Sequence, residues 1–266
     1  MNLNDWLQTL KQAGYNDANA QARLCQDIVL KAVSDSRFHH HITVKGGVVM
    51  QSLTGDIRRA TQDMDMDFIH YSLDDAAIDK FIQELDQQTN LHIDRTGRIE
   101  ELRQQDYHGK RVYVNIHDDA GYTIQTKIDF GVHRDFDVAQ DEYCFDVCMT
   151  DDGANLLINS KEQMLTEKLK SLLKFGPFST RYKDIFDICY LVDHVERNRF
   201  VQCLHHYILD CDGMKERTIT DIERRLAMTF KNSRYQHHIK ASRKNWSGVA
   251  PAQAFQHILQ FFRTLK

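Results

Sequence analysis

Several things are scarce in this 266-residue chain, and each scarcity removes a class of protein. Proline is nearly missing: Pro177 and Pro251 are the only two, both between or at the start of helical patterns, and no segment is repeated or of low complexity. No run approaches the roughly 20 apolar residues that cross a bilayer, so no membrane partner is expected. The opening Met1-Asn2-Leu3-Asn4-Asp5 lacks the basic and apolar regions of a secretion signal, and a cytoplasmic location is the expectation. The six cysteines (Cys25, Cys144, Cys148, Cys189, Cys203, Cys211) form no Cys-x-x-Cys pair. Most lie in apolar settings, so they read as small buried hydrophobes rather than disulfides or zinc ligands. Net charge is small too, at −4, which speaks against a generally basic nucleic-acid binder.

What is present is an ordinary globular composition, 42% hydrophobic and 27% charged, on a chain long enough for one large core or two small ones. The charge is unevenly spread. Residues 215–266 hold 11 Lys/Arg against 3 Asp/Glu, a balance of +8, which leaves −12 for the rest. An acidic body with a basic tail suits a metal site beside a polyanion-binding surface, although a solvated helical face gives the same count.

Apolar spacing predicts helices over 3–12, 19–34, 48–53 and 73–88. Strands are predicted over 38–45, 63–69, 91–102, 110–117, 122–130 and 143–149, with turns at 108–110 and 118–121. Asp151-Asp152-Gly153-Ala154-Asn155 breaks the pattern and sets a boundary between domains 1–155 and 156–266. Beyond it, helices are predicted over about 160–174, 181–196, 198–210, 215–231 and 251–265. The class is α+β: a mixed sheet with N-terminal helices, followed by a helical domain that turns basic towards its end.

The chemistry concentrates between residues 44 and 68. A strand enters Lys45-Gly46-Gly47 and a short helix follows, the arrangement in which free backbone N–H groups and the helix dipole favour phosphate. Next comes Asp63-Met64-Asp65-Met66-Asp67-Phe68. Alternate strand residues share a face, so three carboxylates sit together, and like charges on one face destabilise a sheet. A bound divalent cation is the commonest remedy, because hard cations take carboxylate oxygens. A further carboxylate, Asp129, shares a face with Lys127 in Thr126-Lys127-Ile128-Asp129-Phe130. An edge Lys–Asp pair is the ordinary alternative there.

Taken together, the Gly-Gly turn, the short helix, Asp-hydrophobic-Asp and the later strand Asp resemble the signature of the DNA polymerase β-like nucleotidyltransferase superfamily. Lys45-Gly46-Gly47, Arg59-Ala60-Thr61-Gln62-Asp63-Met64-Asp65 and Lys127-Ile128-Asp129 look more narrowly like the AbiEii/AbiGii-type toxin nucleotidyltransferases, as do Glu162, Glu167-Lys168-Leu169 and Arg181-Tyr182-Lys183-Asp184 with Asp187. The resemblance runs from about residue 20 to 195. It implies that Asp63 and Asp65 bind Mg²⁺ (or Mn²⁺), with Asp129 as the third metal ligand. NTP would be the substrate, RNA the acceptor (tRNA 3′ ends in some relatives), and a separately encoded antitoxin the partner. Asp129 or Asp184 would serve as base.

Around that frame, Thr61 is expected to fix the Asp63 carboxylate and Arg59 to steady the loop. Lys168 is expected at the rim of its helix, reaching phosphate as a point charge. Arg181, Lys183 and Asp184 are expected to close over the nucleotide, the bland alternative being the intrahelical pairs Arg181–Asp184 and Lys183–Asp187. Asp67 reads as outer-shell or solvent-facing. RNA contact is placed on Arg224, Arg225, Lys231, Arg234, Lys240, Arg243 and Lys244, with Tyr235 and Trp246 interleaved. Two alternatives keep the same residues: transfer to a protein or small molecule such as an aminoglycoside, or a non-catalytic nucleotide-binding module.

Overall fold

The computed structural model describes residues 2–104, 107–133 and 138–265, and the chain divides into two units, Met1–Asn159 and Ser160–Lys266. Unit 1 is a seven-stranded mixed sheet with helices α1 (Leu3–Gln12), α2 (Asp17–Asp35), α3 (Gly46–Thr54) and α4 (Asp75–Gln87). The strands are β1 (Ile42–Lys45), β2 (Met64–Phe68), β3 (His92–Gln104), β4 (Tyr107–His117), β5 (Thr123–Val132), β6 (Asp141–Val147) and β7 (Thr150–Ile158), in the order β3-β4-β5-β2-β1-β7-β6.

Alternation in β2 decides which face is buried. Met64, Met66 and Phe68 are at most 1% exposed. Phe68 stacks on Phe130 of β5 at 5.1 Å, and Phe81 of α4 meets both rings edge-on. That leaves the aspartates of β2 on the opposite face. In α2, Asn16 caps the N-terminus through the Asn19 amide at 2.9 Å, and Leu24, Cys25, Ile28, Val29 and Ala32 are buried.

Unit 2 is helical: α5 (Lys161–Phe175), a 3₁₀ turn (Gly176–Phe178), α6 (Tyr182–Leu191), α7 (Arg197–Leu204) running into a π turn (His205–Leu209), α8 (Ile219–Lys231), α9 (Ser233–Ala241) and α10 (Pro251–Thr264). Its core includes Leu165, Leu169, Phe186, Ile188, Leu226, Phe230 and Phe262. Thr218 and Asp221 form a reciprocal capping box at the start of α8.

The elements differ from expectation at a few places, each with a local reason. The strand predicted over 38–45 begins only at Ile42, because Ser36 turns the chain with hydrogen bonds to Val33 and Phe38. Residues 108–110 lie within β4 rather than in a turn. The predicted break at 151–155 lies inside β7, which pairs with β6 and runs parallel to β1. Gly153 is what allows this. Its φ is +68°, and a Cβ there would come within 2.7 Å of Cys144 Sγ and 2.8 Å of the Phe145 carbonyl, beside a register shift between Phe145 and Val147. Helix α9 falls between the helices expected over 215–231 and 251–265. Among the cysteines only Cys25 and Cys203 are buried, and Cys144 is exposed.

Candidate functional site

In unit 1 the polar face of the sheet gathers the carboxylates. β1 runs antiparallel to β2 with Lys45 opposite Asp65 and Thr43 opposite Asp67. β5 runs parallel to β2 with Asp65 directly opposite Asp129. Asp63, Asp65 and Asp129 therefore come from adjacent positions on two neighbouring strands, with Asp63 just ahead of β2.

The glycine turn is fitted to this face. Gly46 has φ +68°, and a Cβ there would lie 2.5 Å from Asp65 Oδ2. A Cβ on Gly47 would lie 2.5 Å from Thr61 Oγ1. Lys45-Gly46-Gly47 thus brings the uncapped N-terminus of α3 against the Asp65 carboxylate. Thr61 is consequently a wall for Gly47 rather than a clasp on Asp63: its amide donates to Gln51 Oε1 at 3.2 Å and its carbonyl accepts from Gln26 at 2.9 Å. Arg59 is buried in the loop before β2.

Three cations neutralise the acidic face. Lys45 donates to both oxygens of Asp67 at 2.6 and 2.7 Å, Lys127 reaches Asp63 at 2.7 Å, and Arg111 grips Asp129 with two bonds of 2.7 and 2.8 Å. Asp67 is therefore a buried, paired group and not a solvent-facing one. Asp65 has no side-chain hydrogen-bond partner among the described residues. Burial, opposed by Lys45 and aided by Asp129, Asp63 and Asp67, pushes its carboxyl up to about 6.

Among the described residues no three His, Cys, Asp or Glu side chains stand in a ready-made metal cluster. The carboxylates share a face while Asp63 and Asp129 are turned to their cations. The donor set nonetheless fits a hard divalent ion: all-oxygen, with a central carboxylate whose charge is opposed by burial and by its acidic neighbours.

In unit 2 a second charged cluster forms. Lys168 lies 3.0 Å from Asp184 and 2.9 Å from Asp187, and the Trp246 indole donates to Asp187 at 2.9 Å. Lys168 and both aspartates are buried, so Lys168 is not at a rim. Arg181 makes the intrahelical pair with Asp184 at 2.7 Å, and Lys183 follows it in the first turn of α6. Tyr235 and Trp246 are buried in the core of unit 2 and are not offered for stacking with RNA. Arg225 donates to the Leu173 carbonyl at 3.3 Å.

Motif spacing does not flag Arg111. Strands 110–117 and 122–130 joined directly through the turn at 118–121 would put position 111 opposite 128; in the structure His117 pairs with Thr123, and Arg111 falls opposite Asp129.

A mixed sheet that sets paired acidic strands beside a glycine turn is an arrangement suited to nucleotidyl transfer, and the chain is a nucleotidyltransferase. It belongs to the nucleotidyl transferase AbiEii toxin family of type IV toxin–antitoxin systems, whose family model matches residues 28–261. That match continues well past residue 195, where the resemblance carried by the motifs stops. No curated protein sequence matches this one. A crystal structure of an antigenic nucleotidyltransferase-like protein from Paracoccidioides brasiliensis is similar over 84% of this chain and 93% of its own, with a TM-score of 0.49 and 15% identity.

Proposed function

We propose that this enzyme transfers a nucleoside monophosphate from NTP to a hydroxyl of an RNA acceptor, tRNA 3′ ends first, releasing pyrophosphate. In this reading it acts in the cytoplasm as the toxin of a pair whose antitoxin is separately encoded. The observation that carries the proposal is the juxtaposition of Asp65 with Asp129 on adjacent strands, against a turn where only glycine fits at position 46.

Asp63, Asp65 and Asp129 would hold Mg²⁺ (or Mn²⁺), which supplies neutralisation of triphosphate charge when bound. The α3 N-terminus at Gly46 and Gly47 directs free amides at phosphate. Lys45 and Lys127 place positive charge beside it while keeping Asp67 and Asp63 oriented. Arg59 and Thr61 fix the loop that sets the position of Asp63. Asp129, held by Arg111, is one candidate to take the proton of the attacking hydroxyl; Asp184, ordered by Lys168 and Arg181, is the other. Lys183 adds charge at the start of α6.

The test is incubation of the protein with each labelled NTP, Mg²⁺ and an acceptor: total RNA, purified tRNA, protein, or an aminoglycoside. Mass spectrometry then locates the added nucleotide. Transfer to tRNA that disappears in Asp65→Asn and Asp63→Ala, both folded, is the expected result. Label appearing only in the protein or small-molecule arm would replace the RNA acceptor. Nucleotide binding with no transfer in any arm would leave a binding module and sink the catalytic reading.

A further inference from the structure

Among the described residues only four large hydrophobic side chains are exposed, and three lie in unit 2: Phe175 (57%), Phe178 (78%) and Met228 (61%). The elements that carry them pack on one another. Phe175 ends α5 and Phe178 ends the 3₁₀ turn that follows it. That turn is pinned to α8 by Arg225. The Arg225 side chain donates to the Leu173 carbonyl at 3.3 Å, and a Cβ on Gly176 would lie 2.7 Å from its guanidinium. Met228 lies one helical turn beyond Arg225 on the same face of α8.

Leaving two phenyl rings in water has an unfavourable hydration free energy, so the patch calls for an occupant. Its surroundings say which kind. Arg181, 62% exposed, follows the turn, and Arg224, 68% exposed, sits beside Arg225; each uses part of its guanidinium on one carboxylate, Asp184 or Asp221. The sequence from 215 onward carries a balance of +8. Exposed guanidinium groups beside the rings attract phosphate, and one ring suffices to stack a base.

We infer that Phe175, Phe178 and Met228, flanked by Arg181 and Arg224, form a stacking platform for unpaired bases of the RNA acceptor. The platform takes the place of the buried Tyr235 and Trp246, and it rests on the reading of the protein as an RNA-directed nucleotidyltransferase.

The experiment measures binding of the full-length protein to a short labelled single-stranded RNA and to the matching duplex by fluorescence anisotropy, without NTP or metal. Phe178→Ala and Phe178→Leu should each weaken single-strand binding about tenfold, Phe178→Tyr should preserve it, and duplex binding should change little. Phe178 is exposed, so the variants are expected to fold, and circular dichroism checks this. The Leu variant separates stacking from mere apolarity. Wild-type affinity in Phe178→Leu, or no RNA binding by the wild type, overturns the platform. So does a dimer, seen by light scattering, that Phe178→Ala dissociates without changing RNA affinity. Transfer assays keep the two claims apart. If Asp65→Asn abolishes RNA labelling while Phe178→Leu binds normally, only the platform falls. If single-strand binding depends on the ring but RNA is never labelled, the transferase reading is what fails.

Discussion

At the residue scale, Asp65 is the group whose chemistry the fold most alters. Its carboxyl titrates near 3.8 unfolded and near 6 folded, so between those values the native state holds the extra proton. Its contribution to stability is therefore full below about pH 4 and is lost as pH rises through about 6. In the metal-free protein the ionised form at pH 7.5 is destabilised by about 1–3 kcal/mol. Asp65→Asn should recover that amount in urea unfolding at pH 7.5, show little gain at pH 4, and be unable to bind Mn²⁺ or transfer nucleotide. A destabilised Asp65→Asn protein at pH 7.5 would mean that the carboxylate is compensated in a way this geometry does not provide. Protons should also compete with metal, so wild-type Mn²⁺ affinity by calorimetry should fall about fivefold from pH 6 to pH 5.

Lys168 behaves in the opposite sense. It is the shared cation of two buried carboxylates, Asp184 and Asp187. Lys168→Met should destabilise the protein by about 3–5 kcal/mol, because it leaves buried negative charge uncompensated. Thermal unfolding must therefore accompany any activity measurement on that variant; a stable but inactive Lys168→Met would assign it a chemical role beyond this ion pair. The acids and glycines of both clusters were legible as residues in the sequence. Their partners were not, since Arg111 on Asp129 and Trp246 on Asp187 join positions 18 and 59 residues apart through the fold alone.

At the element scale, legibility followed periodicity. α1, α4 and β2 were readable because each has one apolar face, α2 because its apolar residues recur at helical spacing even though Leu24 to Leu30 are all buried, and the antiparallel β4–β5 pair followed from its turn. β7 was hidden by Asp151-Asp152-Gly153, which is turn chemistry in composition. In the fold these residues form a strand because Gly153 adopts φ +68° beside a bulge and lets Cys144 and the Phe145 carbonyl approach. The short α9 is hard to bound because its interior carries Arg234, His237, His238 and Lys240 around only two buried anchors, Tyr235 and Ile239. Gly153→Ala tests the account of β7. The substituent must enter a left-handed conformation and meet the fixed Phe145 carbonyl as well as the Cys144 sulfur, so a loss of at least about 1 kcal/mol is expected in thermal unfolding. An unchanged melting temperature would show that the β6–β7 bulge relaxes freely.

At the scale of the whole molecule, the chain provides its own pair of reporters. It has two tryptophans, Trp6 in α1 of unit 1 and Trp246 in unit 2, and each unit holds its own hydrophobic core. The proposed metal ligands Asp63, Asp65 and Asp129 all belong to unit 1. A cation that binds only the folded form stabilises it by mass action, by about 2.7 kcal/mol at a hundredfold excess over Kd. In Trp246→Phe, where fluorescence follows Trp6, Mn²⁺ should raise the unfolding midpoint. In Trp6→Phe, where it follows Trp246, the shift should be no larger than in Trp246→Phe. Trp246→Phe also removes the indole donor from buried Asp187, at about 1–3 kcal/mol, so the comparison is made within each variant, with and without metal. Adding Asp65→Asn should remove the Mn²⁺ response of Trp6. A response that survives Asp65→Asn would move the metal away from the β2–β5 carboxylates, and a response seen only through Trp246 would move it to the second unit.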